Sequence, residues 1–207
     1  AVGESDLLVF ADANLEQQTL QFVTSVRSQI QQHVRSRHEF LSSMEPLPMP
    51  APEAGSCLPR VIATMYRAGK IAGTGPMAAV AGALAEAVGD SLLELSSQVI
   101  VENGGDIFIK SDQPRVVSIH AGQSPLSEKV GLAIPVGRFG VCTSSGTVGH
   151  SISFGNADAA MVVSADTALA DAVALLPAAQ PMHRRNKAFL DRKRLYLRSP
   201  GSFVSVI

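Results

Sequence analysis

Residues 142–151 carry the densest set of side chains that could do chemistry. The stretch reads Cys-Thr-Ser-Ser-Gly-Thr-Val-Gly-His-Ser. Backbone N–H groups in a glycine-containing loop form an anion-binding concavity, and hydroxyl groups add further donors. Histidine can give or take a proton near neutral pH. We therefore predict a phosphate-binding loop with a catalytic histidine, and the alternative is a plain polar loop. The candidates are Thr143, Ser144, Ser145, Gly146, Thr147 and His150.

A glycine turn lies between two apolar runs at residues 101–107. Gly104 and Gly105 allow the backbone to turn tightly and to approach a ligand closely. The flanking Asn103 and Asp106 can hydrogen-bond ligand atoms, so all four residues are candidate binding residues. The alternative is an ordinary hairpin turn, for which Asn-Gly is the strongest short signal.

Asp171 is the most unusual carboxylate in the sequence. It stands between Ala170 and Ala172 in a predicted helix of small apolar residues. A buried carboxylate needs a partner or a cation, and Mg²⁺ binds through carboxylate, carbonyl, water and phosphate oxygens. We predict that Asp171 is a metal ligand with a catalytic role, unless it faces solvent. Asp166 or Thr167 suits the N-cap of the same helix.

Two other features could bear on chemistry. The Gly73-Thr74-Gly75-Pro76 segment precedes a predicted helix, and a helix N-terminus with a glycine-rich approach suits an anion, which makes Gly75 a candidate. It lacks the Lys-Ser/Thr of a P-loop. Cys142 follows Val141 in a strand-like run and is interpreted as a buried, inert thiol. Together the segments predict a phosphate-bearing ligand with a divalent ion.

The elements that position these residues follow from hydrophobic periodicity. Helical spacing predicts one long helix over residues 15–40, with His33 and His38 solvated on it. Further helices are predicted at 60–68, at 77–88, ended by Gly89-Asp90, and at 167–176. The strands follow one another closely with turn residues between them, which favours a largely antiparallel sheet and an α+β fold. They are predicted at residues 7–10, 98–102, 106–110, 115–120, 130–135, 140–143, 151–154, 159–163 and 203–207.

Length and composition limit the classes of protein. The 207 residues predict a single domain over 1–207, with a proline-rich connection at 45–59. The net charge of -1 gives no general attraction to nucleic acid or to an anionic membrane. Residues 182–198 are basic, and we favour a surface element at a subunit interface over a nucleic-acid site there.

Targeting signals are weak in this sequence. The first residues lack the basic start and apolar run of a signal peptide. The apolar stretch at residues 71–85 is shorter than the roughly 20 residues that a membrane span needs. With two cysteines and no close spacing between them, the expectation is a reduced, cytoplasmic protein that does not enter a membrane.

The same segments resemble the ApbE-like superfamily, and specifically its short prokaryotic branch. The resemblance covers most of the chain, and the stretch at residues 142–151 is specific to the branch. The matching stretches are residues 5–7, 38–40, 75–82, 101–107, 121–122, 142–151 and 170–172.

The resemblance implies a T-fold-like architecture, an antiparallel sheet with helices packed on one face. The better-known members are Mg²⁺-dependent FAD:protein FMN transferases, which move FMN from FAD onto a Thr or Ser of a target protein. By resemblance, the cofactors would be FAD or FMN with Mg²⁺, the partners a nucleotide-type ligand and a protein acceptor, and the assembly a homo-oligomer. The family's functional positions match Gly104, Gly105, Thr143, Ser145, Gly146, His150 and Asp171.

Two departures from the transferase pattern keep a second interpretation open. The transferases have a Thr four residues after the metal aspartate, where this chain has Leu175, and a Lys in the loop that corresponds to residues 73–77, where this chain has none. The favoured hypothesis is a protein that binds a flavin or other nucleotide and transfers or cleaves its phosphate. The alternative is a non-catalytic binding or assembly module on the same scaffold.

Overall fold

The fold consists of five helices and eight strands in the described part of the chain. The structure is a computed structural model, and it describes residues 1–51, 57–120, 122–123, 127–144, 160–178 and 203–206. The helices are α1 (Glu16–Ser36), α2 (His38–Ser42), α3 (Arg60–Ala72), α4 (Val80–Leu92) and α5 (Thr167–Ala178), and a 3₁₀ turn, η1 (Pro76–Ala79), leads into α4. The strands are β1 (Leu7–Ala11), β2 (Val99–Asn103), β3 (Asp106–Ser111), β4 (Arg115–Ser118), β5 (Gly131–Ile134), β6 (Gly137–Ser144), β7 (Ala160–Ser164) and β8 (Phe203–Val206).

Six strands form one antiparallel sheet in the order β1-β2-β3-β6-β7-β8. Strands β2 and β3 form a hairpin in which Asn103 pairs with Asp106. Strand β6 then pairs with β3, which places Cys142 opposite Asp106. The predicted mixed fold of helices and an antiparallel sheet is confirmed.

The helices pack on one face of this sheet. Alternation along β2 turns Val99 and Val101 toward the helices, where both are fully buried. Helices α4 and α5 lie directly on the sheet, and α1 and α3 pack against α4. The bulkiest side chains buried between the helices and the sheet are Phe40, Phe108, Ile62, Met65, Leu92 and Val88.

The opposite face of the sheet is partly covered by a separate hairpin. Among the strands that the structure describes, β4 and β5 pair only with each other. Ile134 of β5 packs with Ile109, Val141 and Met161 of the large sheet in a second buried cluster. The sheet is therefore apolar on both faces, which explains why its central strands alternate less clearly than a half-solvated strand would.

Several predicted boundaries are wrong. The helix predicted at 60–68 continues to Ala72, and the helix predicted to end at Gly89-Asp90 continues to Leu92. Gly89 lies inside this helix against the ring of Phe108, where an added Cβ would lie 2.2 Å from ring carbon Cδ1. The helix predicted to begin at residue 77 starts as a 3₁₀ turn. The long helix ends at Ser36, because Arg37 adopts φ -142°, outside the helical region.

His33 is only partly exposed, whereas the sequence predicted a solvated residue. Its Nε2 lies 3.0 Å from the hydroxyl oxygen of Tyr66, and its ring packs edge-on against Phe40. Burial lowers the pKa of His33, and the nearby Arg37 adds to that effect. The contact between His33 and Tyr66 holds the end of α1 against α3.

Parts of the remaining predictions lie outside the described residues. In the proline-rich connection, residues 45–51 and 57–59 form neither helix nor strand, as predicted, and residues 52–56 are not described. The strand predicted at 151–154 and the basic segment at 182–198 also lie outside the described residues.

None of the helices in the described ranges is, taken singly, both long and apolar enough to span a membrane. Helix α3 and the η1–α4 segment pass that test of length and composition only as a pair, and they meet at an angle of 106°.

An ion-pair network joins α4 to β6. Arg138 Nη2 donates to Glu86 Oε1 at 2.6 Å, and Arg138 Nη1 lies 2.7 Å from Asp90 Oδ1. The guanidinium also stacks 5.0 Å from the ring centroid of Phe108. Burial raises the pKa of Glu86 and Arg138 opposes that rise, so Arg138 offsets part of the cost of burying this carboxylate.

Replacing Arg138 by Met should lower the free energy of unfolding by about 2 kcal/mol, because Glu86 and Asp90 lose their shared cation. Urea denaturation measures this. The matched control is Arg60→Met, since Arg60 also pairs with Asp90 but its side chain is 81% exposed, and it should cost less than about 0.5 kcal/mol. Equal losses in the two variants would show that the Arg138 network contributes no more to stability than an exposed ion pair does.

Candidate functional site

The glycine turn between β2 and β3 lies beside the carboxyl end of β6, where these strands end. Gly104 and Gly105 have φ of 64° and 104°, the positive values that a tight two-residue hairpin requires. The Thr143 N–H donates to the carbonyl oxygen of Gly105 at 3.2 Å. The turn thus closes an ordinary hairpin, and it also brings the start of the hydroxyl-rich stretch beside Asp106.

The N-terminus of α4 lies against this turn. The Asn103 side-chain amide donates to the carbonyl oxygen of Ala81 at 3.1 Å. A predicted binding residue of the turn is therefore fixed to the first turn of a helix, where backbone N–H groups lack partners within the helix.

Asp171 points from α5 to that same helix end. The Gly82 N–H donates to Asp171 Oδ2 at 2.8 Å. Asp171 therefore caps α4 from a neighbouring helix, which places a negative charge at the positive end of the helix dipole. The alternative that Asp171 faces solvent is wrong.

The capping between the two helices is reciprocal. Glu86 of α4 accepts hydrogen bonds from the N–H groups of Thr167 at 2.9 Å and Ala168 at 3.4 Å, at the start of α5. Asp166 completes that cap by accepting from Leu169 at 2.9 Å, which confirms the predicted N-cap. Each helix thus supplies a carboxylate to the amino end of the other.

Close approach of α4 and α5 depends on Gly82. An added Cβ there would lie 2.5 Å from the Thr167 carbonyl oxygen and 2.7 Å from Asp171 Cβ. Ala85 of α4 and Ala168 and Ala172 of α5 are buried in one shared cluster, and their small side chains suit the same short separation. The small-residue composition of both helices thus serves to bring Asp171 to the sheet edge.

Two carboxyl groups lie close enough at this site to affect each other's pKa: that of Asp106, which is buried, and that of Asp171, which is partly buried. Burial raises the pKa of Asp106 to about 7, although a hydrogen bond from the Cys142 thiol acts in the opposite direction. The pKa of Asp171 is also raised, first by burial and then by the charge of Asp106, against the amides of Gly82 and Ala81. Hydrogen bonds therefore offset only part of the cost of burying these charges.

Cys142 lies between the carboxyl groups but is not a nucleophile. The side chain is fully buried, and its sulfur lies 3.4 Å from the Thr167 carbonyl oxygen. Burial raises the pKa of the thiol, and the charges of Asp106 and Asp171 raise it further. The predicted burial of Cys142 is thus confirmed, and a thiol in this environment stays protonated.

The structure brings together most of the predicted residues that it describes. Asn103, Gly104, Gly105, Asp106, Thr143, Ser144 and Asp171 belong to the β2–β3 turn, the end of β6 and the facing part of α5. Gly75 is placed differently: its N–H donates to the Met44 carbonyl oxygen at 3.0 Å, so this amide is already used within the protein. Ser145, Gly146, Thr147 and His150 lie outside the described residues, and their roles remain predictions.

Sequence reasoning missed the first turn of α4 as part of the site. Ala81 and Gly82 carry no functional side chain, and their contribution is the backbone amides that hold Asp171. The only signal was Gly82 in an alanine-rich helix, which indicates close packing rather than chemistry.

The donor set fits a hard divalent cation. The described ranges contain no group of three or more His, Cys, Asp or Glu side chains that could hold a metal by themselves. Mg²⁺ usually takes only one or two carboxylates and completes its shell with water and phosphate oxygens. Asp171 and Asp106, two carboxyl groups that form no ion pair among the described residues, match that requirement.

The fold and the site define a mixed helix and antiparallel-sheet protein with a buried acidic site beside a glycine turn. A model of the family described as AbpE bacteria matches residues 1–190, and the chain belongs to this family, within the ApbE-like superfamily.

Archaeal relatives share much of the sequence. A UPF0280 protein of Methanococcus aeolicus is 44% identical over 153 residues, and the match covers 72% of this chain and 60% of the relative. A UPF0280 protein of Methanocella arvoryzae is 41% identical over 176 residues, covering 84% of this chain and 69% of the relative. The chain thus spans about three fifths of the length of the first relative.

Solved structures show a weaker likeness. The ApbE protein of Thermotoga maritima has a TM-score of 0.46 at 16% identity, covering 65% of this chain and 48% of that one. The flavin transferase ApbE of Vibrio cholerae has a TM-score of 0.44 at 12% identity, covering 98% of this chain and 77% of that one.

Proposed function

We propose that the protein binds a flavin nucleotide or a related phosphate-bearing nucleotide with a divalent cation, and transfers or cleaves its phosphate. The observation that supports this most directly is the pair of interacting carboxyl groups, buried Asp106 and partly buried Asp171, next to a glycine turn and the amino end of a helix. The stability of the fold alone does not require such a pair, because burying both charges is costly.

We assign a different role in the proposed reaction to each group of residues. Asp171, with Asp106, would hold the cation. The backbone of Gly104 and Gly105 gives a ligand close access, since an added Cβ at Gly104 would meet no atom within 4 Å. Thr143 and Ser144 would donate hydroxyl hydrogen bonds to phosphate oxygens, and His150 would exchange a proton with the reacting oxygen. When bound, a divalent cation polarises the phosphoryl group and offsets its charge.

Family membership supports the flavin part of the proposal. The chain belongs to an ApbE-like family, and the ApbE protein of Vibrio cholerae is a flavin transferase. In the proposed reaction a hydroxyl oxygen attacks the FMN phosphorus of FAD, the bond to the AMP oxygen breaks, and the hydroxyl proton is lost to His150. A protein hydroxyl as attacking group gives transfer, and water gives hydrolysis to FMN and AMP.

Titration calorimetry with FAD, FMN and ATP, each with Mg²⁺ and again with EDTA, tests the binding step. We expect binding of at least one nucleotide that weakens at least tenfold when Mg²⁺ is removed, because the cation bridges carboxylate and phosphate. If none of the three nucleotides binds, the proposal is contradicted.

A binding module without chemistry is the second candidate. The observation that favours it is Leu175 on α5, one turn after Asp171, at the position where the transferases have a Thr. Incubation with FAD and Mg²⁺, followed by chromatography for AMP, separates the two candidates. AMP release supports an enzyme, and binding without AMP release, with or without an added acceptor peptide, supports the module.

A further inference from the structure

A cavity of about 590 Å³ lies between α1 and the η1–α4 turn. This size falls in the range of roughly 300–1,000 Å³ that small-molecule sites occupy. We call it the α1 groove. Its apolar wall is formed by Ile30, Val34, Leu41, Met77, Val80 and Leu84.

The α1 groove lies next to the carboxylate site. Ala81 and Asn103 line the groove and are hydrogen-bonded to each other at 3.1 Å. The next residue along the helix, Gly82, donates its N–H to Asp171 Oδ2. One peptide unit therefore separates the groove wall from the amide that holds the carboxylate, so a single elongated ligand would reach both.

Polar groups line the α1 side of the groove. Gln31 and Arg35 are exposed at its mouth. Arg27 is held by Ser5 and forms an ion pair with Glu4, which offsets its positive charge. An apolar floor with a few hydrogen-bond donors at the rim suits a flat ring with polar edge atoms better than it suits a phosphate.

We propose that the α1 groove binds the aromatic ring system of the ligand whose phosphate lies beside Asp171. This inference rests on the proposed function and extends it, because it assigns the ring to a separate compartment formed by α1, α2 and the first turn of α4. The ring and the phosphate then contribute to binding through different residues.

Three fragments of one ligand test this division: riboflavin has the ring without phosphate, pyrophosphate has phosphate without the ring, and FMN has both. Leu41→Asp places a charge in the groove wall, and the fold should tolerate it because Leu41 is 54% exposed. Val80→Phe fills the groove. The matched control is Leu20→Asp, since Leu20 is 44% exposed on α1 and does not line the groove.

Calorimetry in Mg²⁺ should show riboflavin and FMN binding weakened by about tenfold or more in Leu41→Asp and Val80→Phe, which is the effect expected for losing about 1.4 kcal/mol of ring burial. Pyrophosphate binding and all binding to Leu20→Asp should stay within about twofold of the wild type, well below that tenfold effect. Asp171→Asn should give the converse pattern, with pyrophosphate binding lost and riboflavin binding kept.

The inference is overturned if wild-type protein does not bind riboflavin, if both groove variants bind riboflavin and FMN as tightly as wild type, or if they lose pyrophosphate equally. If the wild type still binds pyrophosphate with Mg²⁺, none of these results contradicts the proposed phosphate site beside Asp171. Failure of the wild type to bind pyrophosphate or any nucleotide overturns the proposed function instead.

Discussion

Asp171→Asn is expected to abolish Mg²⁺-dependent nucleotide binding, with a loss of about 100-fold or more, while the protein stays folded. The amide oxygen of Asn can still accept the Gly82 N–H bond that Asp171 accepts at 2.8 Å, so the cap on α4 is kept. What is removed is the negative charge that would hold the cation. Calorimetry with FMN, with and without Mg²⁺, measures the loss.

Asp166→Asn is the matched control for this variant. Asp166 also accepts a backbone N–H at the start of α5, and it pairs with Arg67 on the side away from the glycine turn. Its affinity for FMN should stay within about twofold of the wild type, because exposed ion pairs contribute little. If Asp171→Asn binds the nucleotide with Mg²⁺ as tightly as the control does, Asp171 serves only as a helix cap.

Asp106→Asn should stabilise the protein at pH 8 and have little effect at pH 4. Burial raises the pKa of Asp106 to about 7 from an ordinary value of 3.8. Between these values the native state holds a proton that the unfolded state has lost, so stability falls as the pH rises through this window. The loss for this group reaches about 4 kcal/mol, an upper bound because Asp171 titrates with it.

Urea denaturation in EDTA at pH 4 and pH 8 measures the effect, since Asn stays neutral and keeps an acceptor for the Cys142 thiol. Asp12→Asn is a control of opposite sign. The Asp12 carboxylate accepts hydrogen bonds from Ser96, Ser97 and Gln98, and these bonds lower its pKa. That variant should lose stability at pH 8. An Asp106→Asn protein less stable than wild type at pH 8 would show that the ionised carboxylate is well compensated.

Local sequence patterns predicted the helices and strands well where hydrophobic periodicity or turn residues alone determine the element. Alternation and turn residues located β2 and β3, and helical spacing located α3 and α5. The errors arose where tertiary contacts decide. Gly89 lies inside α4 because the ring of Phe108 leaves no room for a side chain there, so this glycine serves packing rather than ending the helix, and no local propensity encodes that contact.

The candidate site was predictable to the extent that its members carry distinctive side chains. Asp171 stood out because a carboxylate among alanines requires a partner, and Asp106 because it follows Asn-Gly-Gly. The partner of Asp171 could not be predicted, because it is the backbone amide of Gly82, and every residue has such an amide. The pairing of Asp106 with Cys142 depends on sheet register, which a single sequence does not specify for distant strands.

The crossed carboxylates of Glu86 and Asp171 also affect how the molecule opens. Neither α4 nor α5 can fray at its first turn without releasing an acceptor that belongs to the other helix. The amide protons of Gly82 and Thr167 should then exchange with solvent deuterium at similar, slow rates, as members of one cooperative unit. The rigid part of the candidate site is thereby tied to the unfolding of both helices rather than to the motion of a loop.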